Sequence, residues 1–333
     1  REMMRTVQGQ FLSYNEDNGQ YYLDLKKVVD FDAKIAERGD FMERTDLSNY
    51  FFDALRLALN LSDTTYVTNY NIWFYELPWG DHKVTRPGYL FFGAPDDRST
   101  AQPPRDFYVF WLPPFLNRAW HDEQRPDEVI FELANLDDEF EHQVRLYAGA
   151  QALANESAEY RSEYADKAGI LFRKLSRWLN EHLTEHLYIV YQGVRQPVTV
   201  ILGQLRSTAS QTLDDLLHLV ASHLLSPEFQ DKYPDYPSFR RLSQPVSEAA
   251  RENSVMEAIR AMAGRPRTAL ATAILDGLGL LEASTAGGAH VGDVVRPFNS
   301  PYARKFLELL ERKAEGQVVN RGEVIEQVSG GLQ

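Results

Sequence analysis

Four short runs of aromatic and β-branched residues between positions 66 and 133 constrain the fold of this chain most strongly. They read NIWFYEL, GYLFFG, DFYVFWL and EVIFEL, and proline, glycine and aspartate separate them. Runs of this length and composition are typical of β-strands. We therefore expect an antiparallel sheet in the β-rich stretch 66–133, with the long connection GAPDDRSTAQPPRD joining two of its strands.

The pattern becomes helical after residue 137. In DDEFEHQVRLYAGAQALA and SAEYRSEYADKAGILFRKLSRWLNEHL the apolar residues recur at helical spacing, and Thr212 precedes two carboxylates as in a capping box. The stretch 137–226 is thus predicted to be helical, with one interruption. Within it, LYIVYQG and QPVTVIL are expected to form a hairpin around Gly193, or QPVTVIL begins a helix. An earlier helix is expected over about 47–61, with Asp46 as its N-cap.

A connector rich in proline and tyrosine, DKYPDYPSFRRLSQP, divides the chain. We predict a mixed α/β domain over 1–231, a connector over 232–245 and a winged-helix-like domain over 246–333 that is truncated at its C-terminus. The last prediction rests on the order helix, tight turn, helix and glycine-rich hairpin. The predicted fold class is therefore α+β: an antiparallel sheet with long helices, followed by a winged-helix-like helical unit.

Composition excludes several classes of function. The 333 residues contain no cysteine, which removes disulfides, thiolate nucleophiles and cysteine-based metal sites. The formal net charge of −13 disfavours general binding to phosphate backbones. No apolar run reaches the roughly 18 residues that a membrane helix needs, and the first residues lack the apolar core of a signal peptide. We therefore expect a cytoplasmic segment of a larger protein with no membrane contact.

No complete catalytic motif is present in the sequence. A P-loop requires Gly-Lys followed by Ser or Thr, and the nearest stretch, 93–100, lacks the lysine and has two acids in its place. Asp24 and Lys26 follow the Asp-x-Lys layout of magnesium-dependent nucleases, in which carboxylates hold Mg²⁺ and lysine orients water. Charged residues on the solvent-exposed face of an edge strand would give the same pattern. The eight histidines are scattered, and no metal site is predicted.

The greatest concentration of polar groups lies on the turns between the aromatic strands, over 79–106. Prolines stiffen the long loop, which lowers the ordering cost of binding, and arginine is suited to bidentate capture of carboxylate or phosphate. The alternative is that Arg–Asp pairs fasten this loop to its own sheet. The predicted interaction patch consists of Arg86, Asp96, Asp97, Arg98, Gln102, Arg105 and Asp106.

The C-terminal unit has few basic residues near its expected recognition helix and wing. Arg265, Arg267 and Arg296 are the candidates for nucleic-acid contact. Winged helices that read DNA usually carry more Lys and Arg there. We therefore favour a structural or protein-contacting role for this unit.

Three stretches resemble a known family. They are YYLDLKKVVDFDAKI, GYLFFGAPDDRSTAQPPRDFYVFWLPPF and RTALATAILDGLGLLE, the last followed by SPYARKFLELLERKAEGQVVNR. They resemble the large P-loop ATPases of bacterial phage-resistance loci, of the BREX and phage-growth-limitation type (the BrxC/PglY group), over most of the chain. The resemblance implies a parent protein that uses ATP and Mg²⁺ at Walker motifs N-terminal to this region. It also implies protein partners in a defence complex and DNA contact through the parent assembly.

The resemblance assigns no catalytic residue and no cofactor to this segment. Our leading hypothesis is a non-catalytic interaction or scaffold segment of a multidomain ATPase of antiviral defence, with enzyme activity in the parent protein and not here. The alternative is a magnesium-dependent nuclease that uses the acidic residues around Asp24 and Lys26.

Overall fold

A computed structural model gives the architecture. It describes residues 12–15, 20–23, 29–62, 65–67, 70–98, 102–116, 119–205, 212–286, 289–313, 316–320 and 322–324. A short antiparallel hairpin, β1 (Leu12–Asn15) and β2 (Gln20–Leu23), comes first. Within the described part of the chain, every helix is too short or too polar to cross a lipid bilayer.

The centre of the structure is a six-stranded mixed sheet whose strands follow one another in chain order. The strands are β3 (Ile72–Trp79), β4 (Val84–Phe92), β5 (Tyr108–Trp111), β6 (Glu128–Leu133), β7 (Leu187–Tyr191) and β8 (Val194–Pro197). β3 runs antiparallel to β4, the strands β4, β5 and β6 are parallel, and β7 and β8 complete the sheet in antiparallel pairings.

The prediction of an antiparallel sheet is therefore wrong for the two central pairings. Every residue of β5 is buried, so both faces of this strand are covered. Strands buried on both faces show a near-continuous apolar run, which is the pattern of parallel strands and differs from the alternation common in antiparallel sheets. The connections 93–107 and 112–127 are long enough to return the chain to the same end of the sheet, as parallel pairing requires.

Ala258, Ile274 and Leu275 of the C-terminal unit join the main hydrophobic core, in which six earlier helices pack with one face of the sheet. The six helices are α1 (Phe31–Asp40), α2 (Arg44–Ala58), α3 (Asp138–Glu156), α4 (Arg161–His186), α5 (Val198–Leu205) and α6 (Leu213–Lys232). The opposite face holds a second apolar cluster that includes Tyr89, Phe110 and Ile130, with Trp120 of the second connection packed against it.

Side-chain caps begin α3 and α6, and the one predicted at Thr212 is confirmed. The side chain of Asp137 accepts a hydrogen bond from the backbone N–H of Phe140 (2.7 Å) and begins α3. Thr212 and Asp215 form the predicted capping box of α6. The prediction for Asp46 is wrong by three residues: Glu43 is the N-cap of α2 and has no side-chain cap bond, so Asp46 lies in the first turn.

The C-terminal unit has the predicted order of helix, helix and hairpin. Its elements are α7 (Glu248–Met262), α8 (Ala269–Gly277), β9 (Leu281–Ala286), β10 (Ala289–Val295) and α9 (Pro301–Glu311). β9 and β10 pair antiparallel. The assignment of this unit to the winged-helix class stays a prediction.

The connector 232–245 is packed against the sheet. Tyr233 and Phe239 are buried, and the N–H of Phe239 donates to the carbonyl of His82 (3.0 Å). Just beyond the connector, the N–H of Val246 donates to the carbonyl of Lys83 (3.0 Å). The domain boundary predicted at this connector stays a prediction, but the segment is held in place by the turn between β3 and β4.

Candidate anion-binding cleft

The parallel direction of β4, β5 and β6 divides the predicted interaction patch between opposite edges of the sheet. Asp96 and Asp97 lie in a single 3₁₀ turn that follows the carboxyl end of β4. The loop then runs back, so that the rest of the patch borders cavities at the amino ends of the strands. These residues are Arg86, Arg98, Gln102, Arg105 and Asp106.

Two adjoining cavities of about 660 and 380 Å³ open at the amino ends. They share Pro104, Arg105 and Lys232, and we call them together the basic cleft. Three carboxylates line it, those of Asp106, Asp127 and Glu248. Cationic residues outnumber them and are Arg86, Arg98, Arg105, Arg125, Lys232 and Arg251. The positive surplus is local, because the whole chain has a formal charge of −13.

A buried ion pair forms the floor of the cleft. Arg86 and Asp106 are each only 6% exposed; Nη2 of Arg86 lies 2.5 Å from Oδ2 of Asp106, and its Nε donates to the same oxygen at 2.7 Å. The guanidinium stacks 3.9 Å from the ring centre of Tyr233. This pair fastens the loop to β4, in agreement with the alternative interpretation that Arg–Asp pairs hold the loop against its own sheet.

Asp106 also joins the loop to the end of α6. Its Oδ1 accepts from the hydroxyl of Tyr233 and from Nζ of Lys232 (3.1 Å). Partial burial lowers the pKa of Lys232, but the attraction of Asp106 outweighs it and raises that pKa above its ordinary value. Lys232 therefore stays charged at the mouth of the cleft.

Two arginines share one buried carboxylate at the start of β6. Nη1 of Arg98 lies 2.5 Å from Oε1 of Glu128, and Nε of Arg125 lies 3.4 Å from the same oxygen. Arg125 also pairs with Asp127 at 2.9 Å. Burial raises the pKa of Glu128, although both arginines oppose this shift. Both arginine side chains remain partly exposed to the cleft.

Three further lining residues have capacity for additional polar contacts, although the guanidinium of Arg105 also lies 5.0 Å from the ring centre of Phe74. Nη1 of Arg105 lies 3.9 Å from Oε1 of Glu248, at the outer limit of an ion pair. Arg251 is exposed and makes no ion pair with any residue that the structure describes. Gln102 is only 8% exposed, and its Oε1 finds no hydrogen-bond donor among the described residues. A buried amide oxygen without a donor is unfavourable, so the cleft has unused capacity for polar contacts.

The predicted nucleic-acid candidates of the C-terminal unit are partly engaged with their own hairpin. Arg267 donates through Nη2 to the carbonyl of Asp293 (2.7 Å), and Nε of Arg296 lies 3.5 Å from Oε2 of Glu282. Arg265 is exposed in the turn between α7 and α8. The first contact joins the hairpin to the start of α8, the second lies within the hairpin, and they do not bring the three arginines into one site.

The nuclease candidates Asp24 and Lys26 lie outside the described residues. Among the described ranges, no group of three or more histidine, aspartate or glutamate side chains is placed to hold a metal ion.

Sequence reasoning missed half of the basic cleft. Arg125, Lys232, Tyr233 and Arg251 are separated from the predicted patch by up to about 150 residues of chain, and only the fold brings them together. The one available signal was the tyrosine-rich connector next to Lys232, which predicted a boundary and not a site.

Three family models match the chain along its length. The DUF6079 third domain matches residues 33–233, the 4th domain of this family of unknown function matches 251–333, and the DUF6079 second domain matches 1–29. No curated protein and no solved structure matches the chain. The basic cleft combines residues of the third and the 4th domain matches. Arg105 and Lys232 lie in the third-domain match, and Arg251 is the first residue of the 4th-domain match.

Proposed function

This chain belongs to the DUF6079 family, and we propose that it is a non-catalytic interaction segment of a larger protein that binds an acidic partner in the basic cleft. The observation that carries the proposal is the convergence of six cationic side chains on two adjoining cavities of a chain with net charge −13. Such a local field steers an oppositely charged partner and selects against others.

The cleft is preorganised for contact. The Arg86–Asp106 pair and the Arg98–Glu128 pair fix the loop and the start of β6, while Pro104 stiffens the backbone beside Arg105. Rigid positioning lowers the entropy that binding must offset. Because Arg251 is exposed and the ion pair of Arg105 with Glu248 is long, both can pair with carboxylates of a partner.

The resemblance to ATPases of phage-resistance loci supports a place for this segment in a cytoplasmic antiviral defence complex. In that setting the parent protein would use ATP and Mg²⁺ outside this segment, and the acidic partner would be another protein of the complex. DNA of the assembly is the competing source of negative charge. The alternative of a magnesium-dependent nuclease using Asp24 and Lys26 rests on the sequence alone.

The test compares two anionic probes with one pair of variants. Fluorescence anisotropy would measure binding of a labelled 20-residue poly-glutamate and of a labelled 20-nucleotide single-stranded DNA at low salt. The double variant Arg105→Gln with Arg251→Gln should weaken poly-glutamate binding about tenfold or more, which corresponds to about 1.4 kcal/mol. The melting temperature should change little, because partly exposed ion pairs contribute under about 1 kcal/mol.

The matched control is the double variant Arg265→Gln with Arg296→Gln, which removes the same charge from the C-terminal hairpin region. It should bind poly-glutamate as the unaltered chain does. Equal loss in both double variants would mean that only net charge matters and would contradict the cleft. Tighter, cleft-dependent binding of DNA would assign the site to nucleic acid in place of a protein.

A further inference from the structure

One face of α7 is apolar and exposed to solvent. Its residues Val255, Met256, Ile259 and Met262 have exposed fractions between 40 and 47%, and we call them the α7 stripe. Single apolar side chains are common on protein surfaces, whereas a contiguous group of large ones marks a contact surface. None of the four lines the basic cleft, so the stripe is a separate surface of the molecule.

The spacing of its residues makes the stripe continuous. Ile259 follows Val255 by four positions and precedes Met262 by three, so their side chains lie above one another on a single helix face. The helix packs on the rest of the chain through another face, where Ser254 and Ala258 are buried. Each of these two residues stands one position before a stripe residue, which is about 100° around the helix axis. The α7 stripe therefore faces away from the core.

A charge of opposite sign stands at each end of the stripe. Glu252 is exposed before its amino end, and Arg265 is exposed in the turn after its carboxyl end. Neither side chain makes an ion pair with any residue in the part of the chain that the structure describes. Two other cations nearby are engaged elsewhere, since Arg260 pairs with Glu257 at 2.9 Å and Arg251 lines the basic cleft.

This arrangement is complementary to itself. When two copies of α7 meet antiparallel across a two-fold axis beside Ile259, Val255 of one copy lies opposite Met262 of the other. The same register brings Glu252 level with Arg265 of the second copy. A two-fold interface uses one surface twice, so each of these contacts occurs two times. In a parallel pair, by contrast, like charges would meet at both ends.

We propose that the α7 stripe is the interface of a homodimer, in which two copies of this chain pair antiparallel through α7. Burial of the apolar side chains supplies the attraction, and the flexible methionines adapt to the opposing surface. The two pairs of Glu252 with Arg265 fix the direction, because opposite charges select one register and disfavour others. One helix from each copy gives an interface at the small end of the usual range, so we expect a weak dimer with a dissociation constant of about 10–100 µM.

The oligomeric state of the full 333-residue chain is the first test, measured by sedimentation velocity. A reversible dimer should form as the concentration rises to about 200 µM. Ile259→Asp places two carboxylates side by side at the axis and should raise the dissociation constant about tenfold or more. The matched control is Ile170→Asp on α4, where the isoleucine is 47% exposed against 44% for Ile259; it should leave the dimer unchanged.

Both positions are exposed, so both variants should keep the circular dichroism spectrum of the unaltered chain. A chain that stays monomeric at about 200 µM overturns the proposal and assigns the stripe to a different protein. A dimer that Ile259→Asp leaves intact, or that Ile170→Asp weakens equally, also overturns it.

Cysteine cross-linking tests the direction of pairing, because the chain has no cysteine of its own. A disulfide requires two Cα atoms within about 7 Å, so Ile259→Cys should cross-link with itself under mild oxidation. Val255→Cys and Met262→Cys should cross-link when mixed but not singly, since two copies of either residue lie about 10 Å apart along the axis. Self-cross-linking of Val255→Cys contradicts the antiparallel pair, and equal cross-linking of Ile170→Cys contradicts a specific interface.

Exchange of the two charges tests their role. Glu252→Arg should weaken the dimer about threefold or more, because it places like charges at both ends. Addition of Arg265→Glu to the same chain restores opposite charges and should restore the dissociation constant. Failure of the second change to recover the dimer would refute the Glu252–Arg265 register.

Discussion

Removing the carboxylate of Asp106 tests how the loop of the basic cleft is held. Asp106→Ala would leave the guanidinium of Arg86 buried, with the rings of Tyr233 and Tyr236 as its remaining contacts. It would also remove the acceptor of the Tyr233 hydroxyl and of Lys232. Breaking a buried ion pair by deleting one partner typically costs 3–5 kcal/mol, so we expect the free energy of unfolding to fall by about 4 kcal/mol. That is a large part of the roughly 5–15 kcal/mol that stabilises a typical domain.

The double variant Arg86→Met with Asp106→Leu separates the loss of attraction from the penalty of a buried unpaired charge. Replacing both ions by apolar groups of similar size is often close to neutral, but the Tyr233 hydroxyl still loses its acceptor, at about 1–3 kcal/mol. We therefore expect the double variant to be more stable than Asp106→Ala by about 2 kcal/mol. Urea unfolding followed by far-UV circular dichroism gives these values.

The control for this comparison is Glu156→Ala, which breaks the exposed pair with Arg38. It should lower the free energy of unfolding by less than about 1 kcal/mol. If Asp106→Ala destabilises no more than this control, the ion pair does not hold the loop. The double variant should lose less unfolding free energy than Arg86→Met and Asp106→Leu lose in total when made singly. If its loss equals that total, the penalty does not arise from an isolated buried charge.

Three further predictions concern the pH dependence of stability, helix packing and helix capping. Burial lowers the pKa of His218, but the carboxylate of Asp214, 3.2 Å from Nδ1, outweighs it and raises that pKa above its ordinary value. The pair therefore stabilises the folded chain fully below the unfolded histidine pKa of about 6.5, and this contribution is lost as the pH rises through the higher folded pKa. His218→Gln should therefore reduce the fall in melting temperature that calorimetry measures between pH 6 and 9. An unchanged fall would refute the prediction. A Cβ on Gly149 would lie 2.3 Å from the carbonyl oxygen of Ile35. Gly149→Ala should therefore lower the free energy of unfolding, measured in urea, by about 1–3 kcal/mol. A neutral effect would show that α1 and α3 can move apart without loss of stability. Thr212→Ala should cost about 1 kcal/mol in the same assay while Thr212→Ser retains stability; equal losses in the two would exclude a capping role.

Local signals in the sequence predicted local structure well. A cap requires only a side chain and the backbone three residues later, so Thr212 could be recognised from its neighbours. The directions of β4, β5 and β6 were mispredicted, although a near-continuous apolar run such as that of β5 is the pattern of parallel strands covered on both faces. Pairing depends on where the long connections travel, and their sequences do not encode that path locally.

The candidate site was predictable only where one loop contributes to it. Arg98 and Arg105 were identified because they lie in one turn-rich stretch of arginine and proline. Asp96 was grouped with them by proximity in sequence, yet it lies at the other edge of the sheet because the loop turns back after it. Lys232 and Arg251 arrive from α6 and α7, and only the tertiary fold brings them into reach.

The contacts of the connector also determine how force would travel through this chain. A flexible tether lets two units move independently, but here Val246 forms a parallel bridge with Val84 at the start of β4. Its N–H donates to the carbonyl of Lys83, and the N–H of Thr85 donates to its carbonyl (both 3.0 Å). A pull on the C-terminal unit along the strand direction would load these two hydrogen bonds together in shear, alongside the contacts of Tyr302 and Lys305 with Asp235 of the connector. The C-terminal unit is thus anchored to the amino end of β4, at the edge of the sheet where the basic cleft opens.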